Sequence, residues 1–224
     1  MRSRGGWRER RLPRRLVQLY AGLALYGASA ALQVEAALGL GPWDVLHQGI
    51  SERTGLSIGV VSIIVGALVL LLWVPLRQRP GLGTVSNVIV VGVAMDATLA
   101  LVPDPHALAF RIPLLVAAIV LNSIATGLYI SARFGPGPRD GLMTGLHRRT
   151  RRSIRLVRTG IEITVLASGF LLGGSVGVGT VAYALCIGPL AQIFLRLFAI
   201  PLPEGPPSPV VAHGGSTRGA ILPR

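Results

Sequence analysis

A shift of 96 residues lays positions 15–96 on positions 111–192 without a gap, and 25 of the 82 pairs are identical. The densest stretch pairs Gly41, Pro42, Asp44, Leu46, Gly49, Arg53, Thr54, Ser57 and Ile58 with Gly137, Pro138, Asp140, Leu142, Gly145, Arg149, Thr150, Ser153 and Ile154. A second block pairs Gly81, Gly83, Thr84 and Val85 with Gly177, Gly179, Thr180 and Val181. Apolar segments resemble one another in any register, but matched Pro, Asp, Arg, Thr and Ser do not arise that way. The chain reads as a duplication, so its fold must be two copies of one unit.

Each unit contains three apolar runs. Hydrophobic residues make up 51% of the chain and charged ones 14%, with a mean hydropathy of +0.61, whereas soluble domains carry about 25% charged residues. A span needs about 20 mostly apolar residues. The six runs are placed at 16–38, 57–76, 83–102, 112–133, 156–173 and 178–200, the fifth being the weakest because it contains Glu162 and ends at Gly173-Gly174. An odd number of spans per unit sends the second copy in from the opposite side. The expected fold is therefore an all-α polytopic membrane protein of six transmembrane helices arranged as two inverted three-helix repeats, each with a short interfacial or re-entrant helix. Its parts are a basic leader (1–15), a first repeat (16–104), a second repeat (105–200) and a disordered proline-rich tail (201–224).

Charge supplies an independent check, since cytoplasmic loops carry the excess of Arg and Lys near span ends. With the amino terminus inside, 20 of the 22 arginines fall on the inner side and only Arg53 and Arg111 fall outside. Both termini are expected in the cytoplasm, in a bacterial inner membrane. The two copies diverge accordingly: Arg148, Arg151, Arg152, Arg155 and Arg158 replace Glu52, Gly55, Leu56, Gly59 and Ser62. The leader and a first run ending in Ala28-Ser29-Ala30 resemble a cleavable signal peptide; the repeat, which pairs this run with an interior span, favours its retention.

A formal net charge of +13 raises the question of nucleic acid, but the arginines flank apolar segments instead of forming a basic face on a soluble fold, so no nucleic-acid partner is expected. Arg148, Arg151, Arg152 and Arg155 are instead candidates for anionic lipid or for setting orientation. A homo-oligomer is compatible with everything in the sequence. One cysteine, Cys186, and four scattered histidines, His47, His106, His147 and His213, show no metal-ligand spacing. No nucleophile with a base, paired carboxylates or cofactor box stands out. Neither enzyme activity, a metal nor a cofactor is expected.

The element G-P-x-D recurs at 41–44 and 137–140, each time after a span. Gly ends the span and Pro opens a new helix, which puts Asp44 and Asp140 in a first turn, where a carboxylate accepts free backbone N–H groups. The helix that follows is too short to span. It is either an interfacial connector with its Asp as N-cap, or a re-entrant half-helix whose two copies meet near the midplane and line a substrate path. On the second reading Asp44, Arg53, Thr54, Ser57, Asp140, Arg149, Thr150, Ser153, Glu162 and Asn87 are the substrate-path candidates. Arg53 and Arg149 equally suit helix carboxyl termini; pairing of Asp44 with Arg53 and of Asp140 with Arg149 is an open alternative. Glu162 lies one i to i+4 step from Arg158, which explains it by an intrahelical ion pair. Glu35 and Asp96 sit near outer helix ends, and Gln33, Asn122, Ser123 and Thr126 suit interhelical hydrogen bonds.

At G-P-W-D-V-L-H-Q-G-I-S-E-R-T-G-L-S-I-G, W-V-P-L-R-Q-R-P-G-L-G-T and G-P-G-P-R-D-G-L-M-T-G-L, the chain resembles the bacterial YczE/YyaS/YitT group of integral membrane proteins. The match covers roughly residues 15–195. The resemblance implies a multi-pass inner-membrane protein and supplies no substrate. Some YitT-like members continue into a soluble domain, and no function housed there is expected of the short tail here. Two functions fit: a small-solute or ion transporter, or a non-transporting accessory or scaffold protein that binds anionic lipid or a partner through its basic loop.

Overall fold

The computed structural model describes residues 12–103 and 105–199. Residues 1–11 and 200–224, which include Arg2 to Arg11 of the leader and the tail expected to be disordered, lie outside them. Among the described residues there are eight helices and no strand: α1 (Leu12–Ala36), α2 (Pro42–Thr54), α3 (Ile58–Trp73), α4 (Leu82–Leu99), α5 (Leu108–Ser131), α6 (Pro138–Thr150), α7 (Ile154–Leu171) and α8 (Val178–Phe198). Each helix of the second set begins 96 residues after its counterpart in the first.

The repetition reaches the level of single dihedrals. Ala37 and Arg133 (φ 46° and 58°), Gly39 and Gly135 (108° and 123°), Gly55 and Arg151 (72° and 56°), and Arg77 and Gly173 (53° and 109°) are the left-handed positions, and each pair is 96 apart. These residues end helices, where a left-handed turn frees the chain to reverse. Helix starts repeat as well. The Ser57 and Ser153 hydroxyls accept from the amides of Val60 and Leu156, and Thr84 and Thr180 accept from the amides of Gly81 and Gly177 at 3.1 and 3.2 Å.

The halves are laced together reciprocally. The Arg15 side chain, on α1, donates to the carbonyl of Ala132 at 3.0 Å, and Arg111, on α5, donates to that of Ala36 at 2.7 Å. Gly83 N donates to Phe134 O at 2.9 Å, and Gly179 N donates to Leu38 O at 2.7 Å. In each case one half supplies the donor for helix-end carbonyls of the other. Helices α1 and α5 form the centre, with α4 against α1 and α8 against α5; α2 packs on α7, and α6 on α3. The two halves differ where α3 meets α4. A Cβ on Gly59 of α3 would strike the Gly92 carbonyl of α4, whereas one on Gly188, the equivalent of Gly92, meets open space. Arg155 stands where Gly59 stands in the first copy.

Helices α4, α5 and α8 are long and apolar enough to cross a membrane, and α2 with α3 qualifies jointly as a pair bent by 115°. The outward surface matches this, with Val178 at 79%, Leu185 at 70% and Leu197 at 70% exposure, large apolar faces of the kind lipid covers. The chain is a helical membrane protein. The second expected span, 57–76, has a helix of only 16 residues, about 24 Å, because it starts behind the Ser57 cap as expected but ends at Trp73, where a turn runs to Arg77. The fifth keeps 18 residues but carries Arg155, Arg158 and Glu162, and α1 carries Arg14, Arg15, Gln18, Gln33 and Glu35.

Candidate functional site at the junction of the short helices

The two short helices are 13 residues each and begin alike. Gly41 and Gly137 are the N-caps, with extended backbone, no side-chain cap bond and Pro42 or Pro138 directly after them. Asp44 and Asp140 are therefore at the third helical position and are not N-caps, contrary to the connector reading; the glycine takes the cap and Pro supplies the first turn without an amide to satisfy. The start of α6 is fixed by the Trp73 indole, which donates to Pro138 O at 3.0 Å in a buried position. Gly141 lies against the same indole, and a Cβ there would overlap it.

The amino-terminal turns of both helices line one cavity of about 80 Å³ inside the bundle, room for several water molecules. Trp43, Asp44 and His47 come from α2, and Gly137, Pro138, Arg139 and Asp140 from α6. Tyr26 of α1, Tyr129 of α5, Asn87 of α4 and an apolar stretch of α3 from Ser62 to Val69 complete the wall. Tyr26 and Tyr129 pack edge to face, 6.1 Å apart at 83°, and the Arg139 guanidinium carbon stands 6.0 Å from the centre of the Tyr26 ring. The Tyr129 hydroxyl donates to Asp140 Oδ2 at 3.3 Å. Asp44 Oδ1 lies 3.5 Å from His47 Nδ1, one turn on. His47 is only 8% exposed, and neither its Nδ1 nor the buried Trp43 Nε1 has a hydrogen-bond partner. Behind the cavity, Asn122 donates to Ser29 Oγ at 2.9 Å and accepts from the Tyr183 hydroxyl at 3.2 Å, joining α1, α5 and α8.

Of the substrate-path candidates, Asp44, Asp140 and Asn87 meet at this cavity. The others do not. Arg53 lies at the far end of α2 and donates to Leu172 O at 3.1 Å, pairing with a helix carbonyl and not with Asp44. Thr54 and Thr150 donate back to Ile50 O and Leu146 O, both at 2.8 Å. Arg149 is exposed at the end of α6, away from Asp140, whose partner is Tyr129. Ser57 donates to Asp96 Oδ2 at 2.6 Å, and the same carboxylate accepts from Gly59 N at 2.7 Å, so Asp96 closes the start of α3. Glu162 accepts from Arg158 at 3.1 Å, the i to i+4 pair. Arg148, Arg151, Arg152, Arg155 and Ser153 are all exposed.

Sequence reasoning missed Tyr26, Trp43, His47, Tyr129 and Arg139. Tyr26 and Tyr129 are hidden in apolar runs where they read as lipid-facing or core residues. Arg139 counts as one more cytoplasmic arginine until the fold turns it inward. A signal did exist: Trp43 and Arg139 are the unmatched position inside the matched G-P-x-D element, and divergence inside a retained frame marks a place where the two copies do different things.

The model of a family of unknown function, DUF6198, matches residues 13–196. Among curated proteins, the chain is 42% identical over 181 residues to an uncharacterized protein of Haemophilus influenzae, covering 81% of this chain and 83% of that one. It is 33% identical over 178 residues to the uncharacterized membrane protein YczE of Bacillus subtilis, covering 79% and 83%. A third relative, the uncharacterized protein YyaS of the same organism, is 24% identical over 180 residues, covering 79% and 90%. No solved structure matches. With a family match over nearly all of the described helices and YczE at this level of identity, the chain belongs to the DUF6198 family of unknown function, the family type of YczE and YyaS.

Proposed function

We propose that this protein is a small-solute or ion transporter of the bacterial inner membrane, working without chemistry on its solute, in which the junction of the short helices is the solute site. One observation carries the reading: the first turns of α2 and α6, from opposite halves, line a single cavity within the bundle. Short helices that start at such a junction aim free backbone N–H groups and the positive ends of their dipoles at a solute. In this reading the six apolar helices are six spans, α2 and α6 are re-entrant, the two halves are inverted repeats, and both termini are cytoplasmic, as the 20 to 2 arginine split favours.

The test is flux into proteoliposomes across a panel of small ions and metabolites, comparing wild type with Asp44→Asn and Asp140→Asn. Loss of one buried charged contact corresponds to about a tenfold fall in flux or more. Unchanged flux in both variants, or none in wild type for any solute, counts against transport.

A second reading keeps one specific observation. Arg148, Arg149, Arg151, Arg152 and Arg155 are exposed together at the end of α6 and the start of α7, a surface that suits anionic headgroups or an acidic partner. Retention on vesicles of anionic lipid, lost on replacing these arginines by Gln while flux is unaffected, would support an accessory or scaffold role.

A further inference from the structure

Resting on the cavity being the solute site, we infer that the group recognised there is a carboxylate of a small solute, held by Arg139 and Trp43. The two residues occupy equivalent positions of the repeat, directly before Asp44 and Asp140. Both line the cavity, and both are donors without acceptor capacity. The Trp43 indole nitrogen is buried without a partner. Neither carboxylate of the cavity forms an ion pair with Arg139: Asp44 lies against His47, and Asp140 accepts from Tyr129. The guanidinium meets the Tyr26 ring and the Tyr183 hydroxyl instead.

A cation site would show the reverse pattern, with unsatisfied acceptors. Here both carboxylates have donors beside them, His47 at Asp44 and Tyr129 at Asp140, while the buried indole N–H has no acceptor and the guanidinium lies beside the Tyr183 hydroxyl and the Tyr26 ring with no carboxylate to pair it. The starts of two helices add roughly half a positive charge each. An acceptor ligand would satisfy the indole N–H, which otherwise stays buried and unpaired. Guanidinium geometry favours a planar, bidentate oxyanion. Asp44 and Asp140 hold the total negative charge of an occupant low, so one carboxylate fits and a dianion does not. A cavity of about 80 Å³ limits the solute to a few non-hydrogen atoms.

The experiment uses the full chain purified in detergent, with acetate, lactate, glycine and methylammonium as probes. The readouts are saturable tryptophan fluorescence change and thermal stabilisation. Acetate or lactate binding identifies a monocarboxylate, and binding of glycine alone identifies a zwitterion whose ammonium meets Asp44 or Asp140; either supports the inference. Arg139→Gln should weaken the carboxylate that binds by about tenfold or more, Arg139→Lys by less, and Trp43→Phe by a few-fold, with Arg148→Gln as an unaffected control. Ligand-free melting shows which variants fold, and Arg139→Lys keeps the test decisive if Arg139→Gln does not. No saturable signal with any carboxylate, equal binding to folded Arg139→Gln, or preferential binding of methylammonium overturns the inference. Methylammonium flux without carboxylate flux sinks this inference and leaves transport standing. Carboxylate binding without flux does the opposite.

Discussion

The two short helices α2 and α6 share length, caps, first-turn proline and aspartate, yet they present different chemistry to the same cavity. Copy one offers Trp43, Asp44 and His47; copy two offers Arg139 and Asp140, with Met143 where His47 stands. Their packing differs as well. Gly169 of α7 lets the backbone of Val45 and Leu46 of α2 approach closely, whereas Gly141, the equivalent of Val45, lies under the indole of Trp73, the equivalent of Gly169. One contact is backbone on backbone, and the other is a glycine beneath a large ring. The lesson is that the repeat conserves backbone, while individual side chains were free to diverge.

That comparison can be broken by removing the indole. Trp73→Ala should destabilise the protein by about 3–5 kcal/mol, the largest effect expected here, since it empties a 1% exposed site and leaves Pro138 O without its donor. Thermal melts of the purified protein would show it; a shift no larger than that of a surface substitution would mean that α6 is positioned by something else.

A sharper test gives the second contact the residues of the first. Gly141→Val alone should cost about 1–3 kcal/mol by overpacking, and combined with Trp73→Gly it should be relieved in part, giving a coupling of about 0.5–3 kcal/mol in a double-mutant cycle. Strict additivity would show that the two positions do not compensate.

The smallest effect expected separates the next pair of equivalents. Ser57→Ala and Ser153→Ala each remove an N-cap, for about 1 kcal/mol. Ser57 should cost more, because it also holds Asp96 at 2.6 Å, while the equivalent of Asp96 is Gln192. Equal losses in the two melting curves would remove this asymmetry.

Much of the helix order was legible because the 96-residue repeat is a property of the chain itself, and its caps are local: Gly41-Pro42, Ser57, Gly81 and Thr84 announce the same turns that Gly137-Pro138, Ser153, Gly177 and Thr180 make. Helix length was less legible. Hydropathy continues through Val74 and Leu76, whereas α3 stops at Trp73, since a turn formed by Arg77 outweighs apolarity. Asp44 and Asp140 stood out by repetition and Asn87 as a polar residue within a span, but the rest of their company did not. Tyr26 and Tyr129 reach the cavity through contacts far apart in sequence, and no local pattern distinguishes such aromatic residues from those that face lipid. Arg139 was misplaced for a related reason: counting charges by loop assumes that arginines near a span end face water, and this one faces inward.

The reciprocal reach of Arg15 to Ala132 and of Arg111 to Ala36 bears on what either half is worth alone. A polypeptide ending between α4 and α5 would keep its arginine without the carbonyls it serves, and its own helix end would lose its donor. Only a second such polypeptide, docked face to face, could close both at once. The duplication thus reads as a covalent dimer: fusing the copies made the pairing obligatory, and with the pairing guaranteed, each copy could specialise its side of the shared chamber.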